Sequence, residues 1–301
     1  MQLSQVVVEV PQAVAEAVAN HLLETGASGI ELRDATTLLA STEGRTQLVA
    51  FLPAAEVEAR VATLGRYLEA LRSGGAGVDP WSYRHEPVAD EDWRERYKAF
   101  FTVSRVGRRL VVCPSWERFD PTPDDVVVTI DPGQAFGTGT HASTRLCLRA
   151  IERIDWLSSS PQTVLDLGCG SGLLAVAAAR LWPQARVQAL DVDPIAVEVA
   201  RETAERNGVA ERVRCAEGSI EAAAGSFDLV LANIQADVLA PMRASLLERL
   251  SERGRVVLSG LLVEEAPAVV DAYVAELSVE PEFSEDEAGW RMVILRRCTP
   301  S

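Results

Sequence analysis

The 301-residue sequence has no apolar run near the roughly 18 residues that a membrane-spanning helix needs. Its start, MQLSQVVVEVPQ, has neither a basic leader nor a full-length apolar signal core. A cytoplasmic chain with no membrane association is the expectation. The five cysteines, Cys113, Cys147, Cys169, Cys215 and Cys298, form no CxxC pair, and no histidine stands at zinc-ligand spacing. Reduced, packed thiols and no metal site follow. Internal repeats, low-complexity tracts and long charge blocks are also missing. Cations are scarce: 29 Lys and Arg face 44 Asp and Glu, and the net charge of -15 would repel a phosphate backbone. Direct nucleic-acid binding is disfavoured. Such a surface would attract a basic protein, although acidity that serves only solubility is the stronger explanation of charge taken alone.

With 48% hydrophobic and 24% charged residues, the chain is composed like a folded globular protein, and its length suggests two domains. Leu3 to Val10 alternates as a strand does, and a helical pattern opens at Pro11 and stops at Gly26. GIELRD and TQLVAFL read as strands, Ala54 to about Arg72 as a helix and WSYRHE as a further strand. The order β-α-β-β-α-β predicts a small α+β ferredoxin-like domain over residues 1–86, a scaffold that often recognises substrates. Residues 87–120 read as a linker: a helix in DEDWRERYKAFF with Trp93, Tyr97 and Phe100 near one face, then a hairpin turning near Gly107. SGGAG at 73–77 allows motion between domains. From Thr163, strands alternate with helices, so residues 121–301 predict an α/β domain with a mostly parallel sheet covered on both faces.

The stretch VLDLGCGSG puts Gly168, Gly170 and Gly172 just past a strand, where missing Cβ atoms permit positive φ and close approach of a ligand. Tight packing of strand on helix also selects glycine, so the bare motif decides little. Context adds to it. ALDVDP ends the next strand with Asp191, placed to accept hydrogen bonds from ribose hydroxyls; the alternative for Asp191 is a cap. Asp193 reads as the helix-entry residue before Pro194. Asp166 could orient the turn or meet a ligand's amino group. A dinucleotide would call for GxGxxG, whereas the spacing here is GxGxG.

DPGQAFGTGTHAST, residues 131–144, reads as a loop entering a helix near Ser143, and Phe136 among small residues suggests a cover over an active site. Asn233, in LANIQA, falls at the sheet edge where such crevices receive ligands; a buried Asn bonded to nearby backbone is the alternative.

Together, DLGCGSG, ALDVD and FDLVLANI resemble the class I S-adenosylmethionine-dependent methyltransferases, which implies a Rossmann-like domain with a seven-stranded sheet. EDW, RLVVCPSWE, DPGQAFGTGTH, DLGCGSG and ANI occur in the order of one family in particular, the ribosomal protein L-eleven methyltransferases, called PrmA. The resemblance covers nearly the whole chain. It implies S-adenosyl-L-methionine as cofactor, and a cofactor site of Thr144, Gly168, Asp191 and Asn233, joined by Gly170, Gly172, Asp166 and Thr140. HAST and NIQ stand where HPTT and NIL are more usual, which touches the substrate side.

The implied reaction is methyl transfer to lysine side-chain or N-terminal amines of a basic large-subunit ribosomal protein, by a monomer. A lysine must first lose its proton, for which a dry pocket with carbonyl acceptors could suffice, and the acceptor role is given to Asn233. His141 is the candidate general base, although a structural hydrogen bond fixing its loop is preferred. Phe136 completes the candidate catalytic set. Two alternatives keep the fold: a methyltransferase for another protein's lysines or a small-molecule amine, and a non-catalytic cofactor-binding module.

Overall fold

The computed structural model describes residues 3–25, 27, 30–33, 44–73, 75, 77–88, 98, 101–131, 137, 139–157, 160–276 and 279–298. Of the helix expected in DEDWRERYKAFF only Lys98, which is helical, and Phe101 are among them; the EDW motif and Phe136 lie outside. The chain divides into two compact units, Met1–Phe100 and Phe101–Ser301.

In the first unit, β1 (Leu3–Pro11), α1 (Ala15–Glu24), β2 (Ile30–Arg33), β3 (Arg45–Pro53), α2 (Val57–Ser73) and β4 (Ser82–Val88) follow the expected order. The antiparallel sheet runs β2-β3-β1-β4, the ferredoxin-like arrangement. Alternation decides its core: Val6, Val8 and Val10 of β1 and Leu48, Ala50 and Leu52 of β3 share one buried cluster with the helices. On α2, Val57, Val61, Leu64 and Leu68 recur every three to four residues and are all buried.

In the second unit, β5 (Ser104–Val106) and β6 (Leu110–Pro114) form the expected hairpin, turning at Gly107 with φ of +76°. β7 (Val126–Ile130) joins β6 in parallel to complete a three-stranded sheet. The Asn207 side chain stands against β7 as a further strand would, its Oδ1 accepting from Thr129 N at 2.8 Å and its Nδ2 donating to Thr129 O at 2.7 Å.

The larger sheet is built from β8 (Thr163–Leu167), β9 (Arg186–Asp191), β10 (Val213–Glu217), β11 (Phe227–Asn233), β12 (Leu250–Leu262), β13 (Val279–Glu287) and β14 (Trp290–Arg297). Its order is β10-β9-β8-β11-β12-β14-β13, parallel from β10 to β12, with β14 antiparallel to both of its neighbours. The helices are α3 (Ala142–Leu157), α4 (Leu173–Leu181), α5 (Pro194–Arg206), α6 (Ala236–Glu248) and α7 (Ala266–Glu276). Successive strand residues feed opposite cores: Leu229 and Leu231 enter one buried cluster with α3, α4 and α5, while Val230 and Ala232 enter another with α6 and α7. Burial on both faces is why these strands read as unbroken apolar runs. β13 reads VEPEFSEDE and shows no such run, which suits the outer strand of the sheet.

All five cysteines are free. Among the described residues there is no metal-binding cluster, and no helix is long and apolar enough to cross a membrane.

Candidate active site at the carboxyl edge of the sheet

β8 ends at Leu167, and the chain then needs three left-handed residues to turn from strand into helix. Gly168, Gly170 and Gly172 supply them, with φ of +69°, +52° and +75°. The three serve different ends. A Cβ on Gly172 would stand 2.9 Å from Cα of Ala200, so this glycine is fixed by the packing of α4 on α5. A Cβ on Gly168 would meet the side chain of Ile234 at 3.2 Å, in the ANI segment. Gly168 N and Cys169 N both donate to Leu190 O, which stitches the loop to β9.

Asp191 is half-buried at the end of β9, and its carboxylate holds the loop directly. Oδ2 accepts from Gly170 N at 2.8 Å, and Oδ1 from Asp193 N at 3.0 Å. Each oxygen keeps a lone pair for a further donor. Asp193 caps α5 by accepting from Ile195 N at 2.9 Å, with Pro194 in the first turn, as its sequence suggests. Beside the acid, Val192 and Ile195 are 71% and 52% exposed and form an apolar ledge. Sequence reading missed the ledge, because single apolar residues beside an acid carry no pattern.

Asp166 lies beneath the loop, only 1% exposed. Its Oδ2 accepts from Ala175 N at 2.9 Å, so it orients the turn into α4, while its Oδ1 is buried with no partner. Burial, with the charge of Asp191 adding to it, pushes the carboxyl up to about 7. Nearby, burial raises the Cys147 thiol to about 12 and that of Cys169 further still, so both stay neutral.

Next to β8, β11 carries Asn233 to the sheet edge. Its Nδ2 donates to Oγ1 of the buried Thr144 at 3.4 Å, and its Oδ1 is a second buried acceptor without a partner. Gly260, at φ +77°, supports the adjoining backbone: a Cβ there would lie 2.9 Å from Ile234 O. Only the lone glycine in LSGLL could have signalled it. Ser259 Oγ donates to Ser143 O at 3.2 Å, tying β12 to the start of α3.

His141 stands one residue before α3. Its Nδ1 is 2.8 Å from Ser143 Oγ and accepts from Ser143 N at 3.3 Å, and its ring meets Trp290 edge-on at 4.8 Å. Burial, helped by the nearby Arg145 cation, lowers its pKa to about 4. Thr140 is exposed, and its carbonyl accepts from the Arg145 guanidinium. The structure therefore joins Gly170 to Asp191 and Thr144 to Asn233 by hydrogen bonds, and gives His141 a place at the helix entry.

Comparison with known proteins places these residues among relatives. Residues 2–297 match the family described as "Ribosomal protein L11 methyltransferase (PrmA)". The ribosomal protein L11 methyltransferase of Pelobacter propionicus is 37% identical over 303 residues, covering 97% of each chain. That of Symbiobacterium thermophilum is 38% identical over 308 residues, covering 98% of this chain and 99% of its own. Among solved structures, a ribosomal protein L11 methylase from Lactobacillus delbrueckii subsp. bulgaricus is 31% identical with a TM-score of 0.58, covering 66% of this chain and 99% of its own.

Proposed function

This chain belongs to the ribosomal protein L11 methyltransferase family, and on that premise we propose that it transfers methyl groups from S-adenosylmethionine to amines of ribosomal protein L11. The observation that carries the proposal is the buried, unpartnered Oδ1 of Asn233 at the rim that the glycine loop opens. A buried acceptor left empty costs about 1–3 kcal/mol, and a donor brought by a ligand would recover that.

The residues present fit the cofactor. Gly168 and Gly170 present bare main chain at the loop, Asp191 keeps lone pairs for vicinal hydroxyls, and Val192 and Ile195 offer an apolar ledge to a base. When bound, S-adenosylmethionine supplies an electrophilic methyl on a sulfonium. The chain's own task is alignment: the amine enters neutral, its proton already lost to solvent, and the proton of the methylated product leaves the same way. Asn233 Oδ1 accepts an N–H of the incoming amine and turns its lone pair toward the methyl, while the bond from Nδ2 to Thr144 fixes the amide.

His141 is proposed to position the loop. A base with a pKa of about 4 faces a lysine near 10.4, an uphill transfer of about 6 units or about 8 kcal/mol. Its Nδ1 is also committed to Ser143. Phe136 is proposed to cover the site, and residues 1–86 to present the substrate. The same reading makes the protein a cytoplasmic monomer that meets its substrate as protein, without nucleic acid.

The test is incorporation of labelled methyl from S-adenosylmethionine into purified L11. Asn233→Ala should cut kcat on L11 by about 10–100-fold. Wild-type protein that leaves L11 unlabelled would refute the proposal.

A further inference from the structure

One side chain in the glycine loop does work that the chemistry above leaves unassigned. Ser171, between Gly170 and Gly172, is only 4% exposed, and its hydroxyl donates to Gly137 O at 2.7 Å. That bond crosses from the glycine loop to Gly137, five residues before α3. Two glycines make the crossing possible. Gly137, at φ +92°, would place a Cβ 3.4 Å from Ser171 Oγ, and Gly139, at φ +86°, would place one 3.2 Å from both Leu173 and Val112. Gly137 and Gly139 therefore lie close on the entry to α4. At their far end, Thr140 O accepts from Arg145, whose guanidinium is held by Glu287. The segment is anchored twice, on the glycine loop and on α3.

Methyl transfer needs nitrogen, carbon and sulfur in line, and a misplacement of about 1 Å can cost about a hundredfold. The glycine loop is proposed to hold the electrophile, and Gly139 and Thr140 stand just before α3, whose Thr144 fixes the Asn233 amide proposed to grip the acceptor, so the spacing of the two sets that line. We propose that Ser171 is a positioning residue for methyl transfer, a strut that holds Gly137 and the entry to α3 at a fixed distance from the glycine loop. This rests on the function proposed above. Ser171 Oγ also accepts from Leu173 N at 3.4 Å, so a purely structural role as a cap of α4 is the competing account. The two accounts part in kinetics: a cap supports the fold alone, whereas a strut acts on turnover.

The decisive variant is Ser171→Ala in the full chain, assayed with S-adenosylmethionine and purified L11. The strut predicts that kcat at saturation of both falls roughly three- to tenfold, the loss of about one hydrogen bond. Affinity for S-adenosylhomocysteine by calorimetry should stay within twofold, because Gly168, Gly170 and Asp191 are untouched. Amide exchange at Gly137, Gly139 and Thr140 should quicken several-fold. Unchanged kcat, with a lower melting temperature as the only effect, would overturn the strut. Wild-type protein supplies a check that needs no variant: S-adenosylhomocysteine should slow exchange at those three amides, and no slowing would likewise overturn it. Absence of any heat on adding S-adenosylhomocysteine to wild type would instead sink the cofactor assignment, and the strut with it.

Discussion

Two carboxylates in the second unit are almost equally withdrawn from water, Glu152 at 3% exposure and Asp166 at 1%, yet they live differently. Glu152, on α3, accepts from three successive amides of the β5–β6 hairpin: Arg108 N at 2.7 Å, Arg109 N, and Leu110 N at 3.1 Å. The turn closes so tightly over it that a Cβ on Gly107 would stand 2.4 Å from Oε2. Asp166 has one amide and an empty oxygen. The difference separates scaffold from site: a saturated buried charge holds structure, while an unsaturated one lies where a ligand, water or proton completes it.

The first way to break that comparison is to remove the saturated acid. Glu152→Ala leaves three amides of one turn without their shared acceptor and should lower unfolding stability by about 3 kcal/mol. Glu152→Gln should recover little, since its amide group would turn a donor toward donors. Urea midpoints measure both. A loss under about 1 kcal/mol would mean that water replaces the carboxylate without penalty, and the contrast would collapse.

The second is a pH series on the unsaturated acid. The Asp166 carboxyl rises to about 7 in the folded chain, above the ordinary 3.8, so the native state keeps a proton that the unfolded chain has lost. Its contribution is full below pH 3.8, falls as pH rises and is gone above 7. Asp166→Asn, neutral at every pH, should thus match wild type near pH 4 and gain on it toward pH 7, by a total of roughly 2–4 kcal/mol. His141 slopes the other way. Held near 4 against an ordinary 6.5, it costs stability as pH falls from 6.5 to 4, so over that window the two groups offset each other. A difference curve for Asp166→Asn that stays flat would show that its second oxygen is satisfied in solution.

Much of this was legible before the fold was known. Buried strands announced themselves as apolar runs, and glycines at a strand end announced a turn. What the pattern could not do was tell the three glycines of the loop apart: only coordinates show Gly172 held by Ala200 and Gly168 by Ile234. Nor could it find Ser171 or Gly260, whose partners Gly137 and Ile234 are distant in sequence. Asp166 was seen as an orienting acid, but its empty oxygen is a property of burial, which periodicity does not encode. β13 was invisible for another reason. Strand signals reward β-branched and alternating apolar residues, and VEPEFSEDE offers mostly acids.

Those acids give the last and smallest test, because they are the partly exposed counterpart of Glu152. Glu280 pairs with Arg296, Glu282 with Arg255 at 2.6 Å, Glu285 with Arg149 at 2.8 Å, Asp286 with Arg291 at 2.7 Å, and Glu287 with Arg145 and Arg149. An acidic outer strand discourages pairing with other chains, and its arginines hold it to α3, β12 and β14. Yet the Arg149 and Glu285 side chains keep 26% and 35% of their surface, so water can take over what substitution removes. Arg149→Met keeps much of the aliphatic packing and breaks two ion pairs. It should cost no more than about 1 kcal/mol, and the loss should shrink as salt rises from 0.05 to 0.5 M, values chosen to span roughly the 10 Å screening length. A salt-independent loss near that of Glu152→Ala would place these pairs with the buried scaffold, and exposure would no longer distinguish the two carboxylate populations.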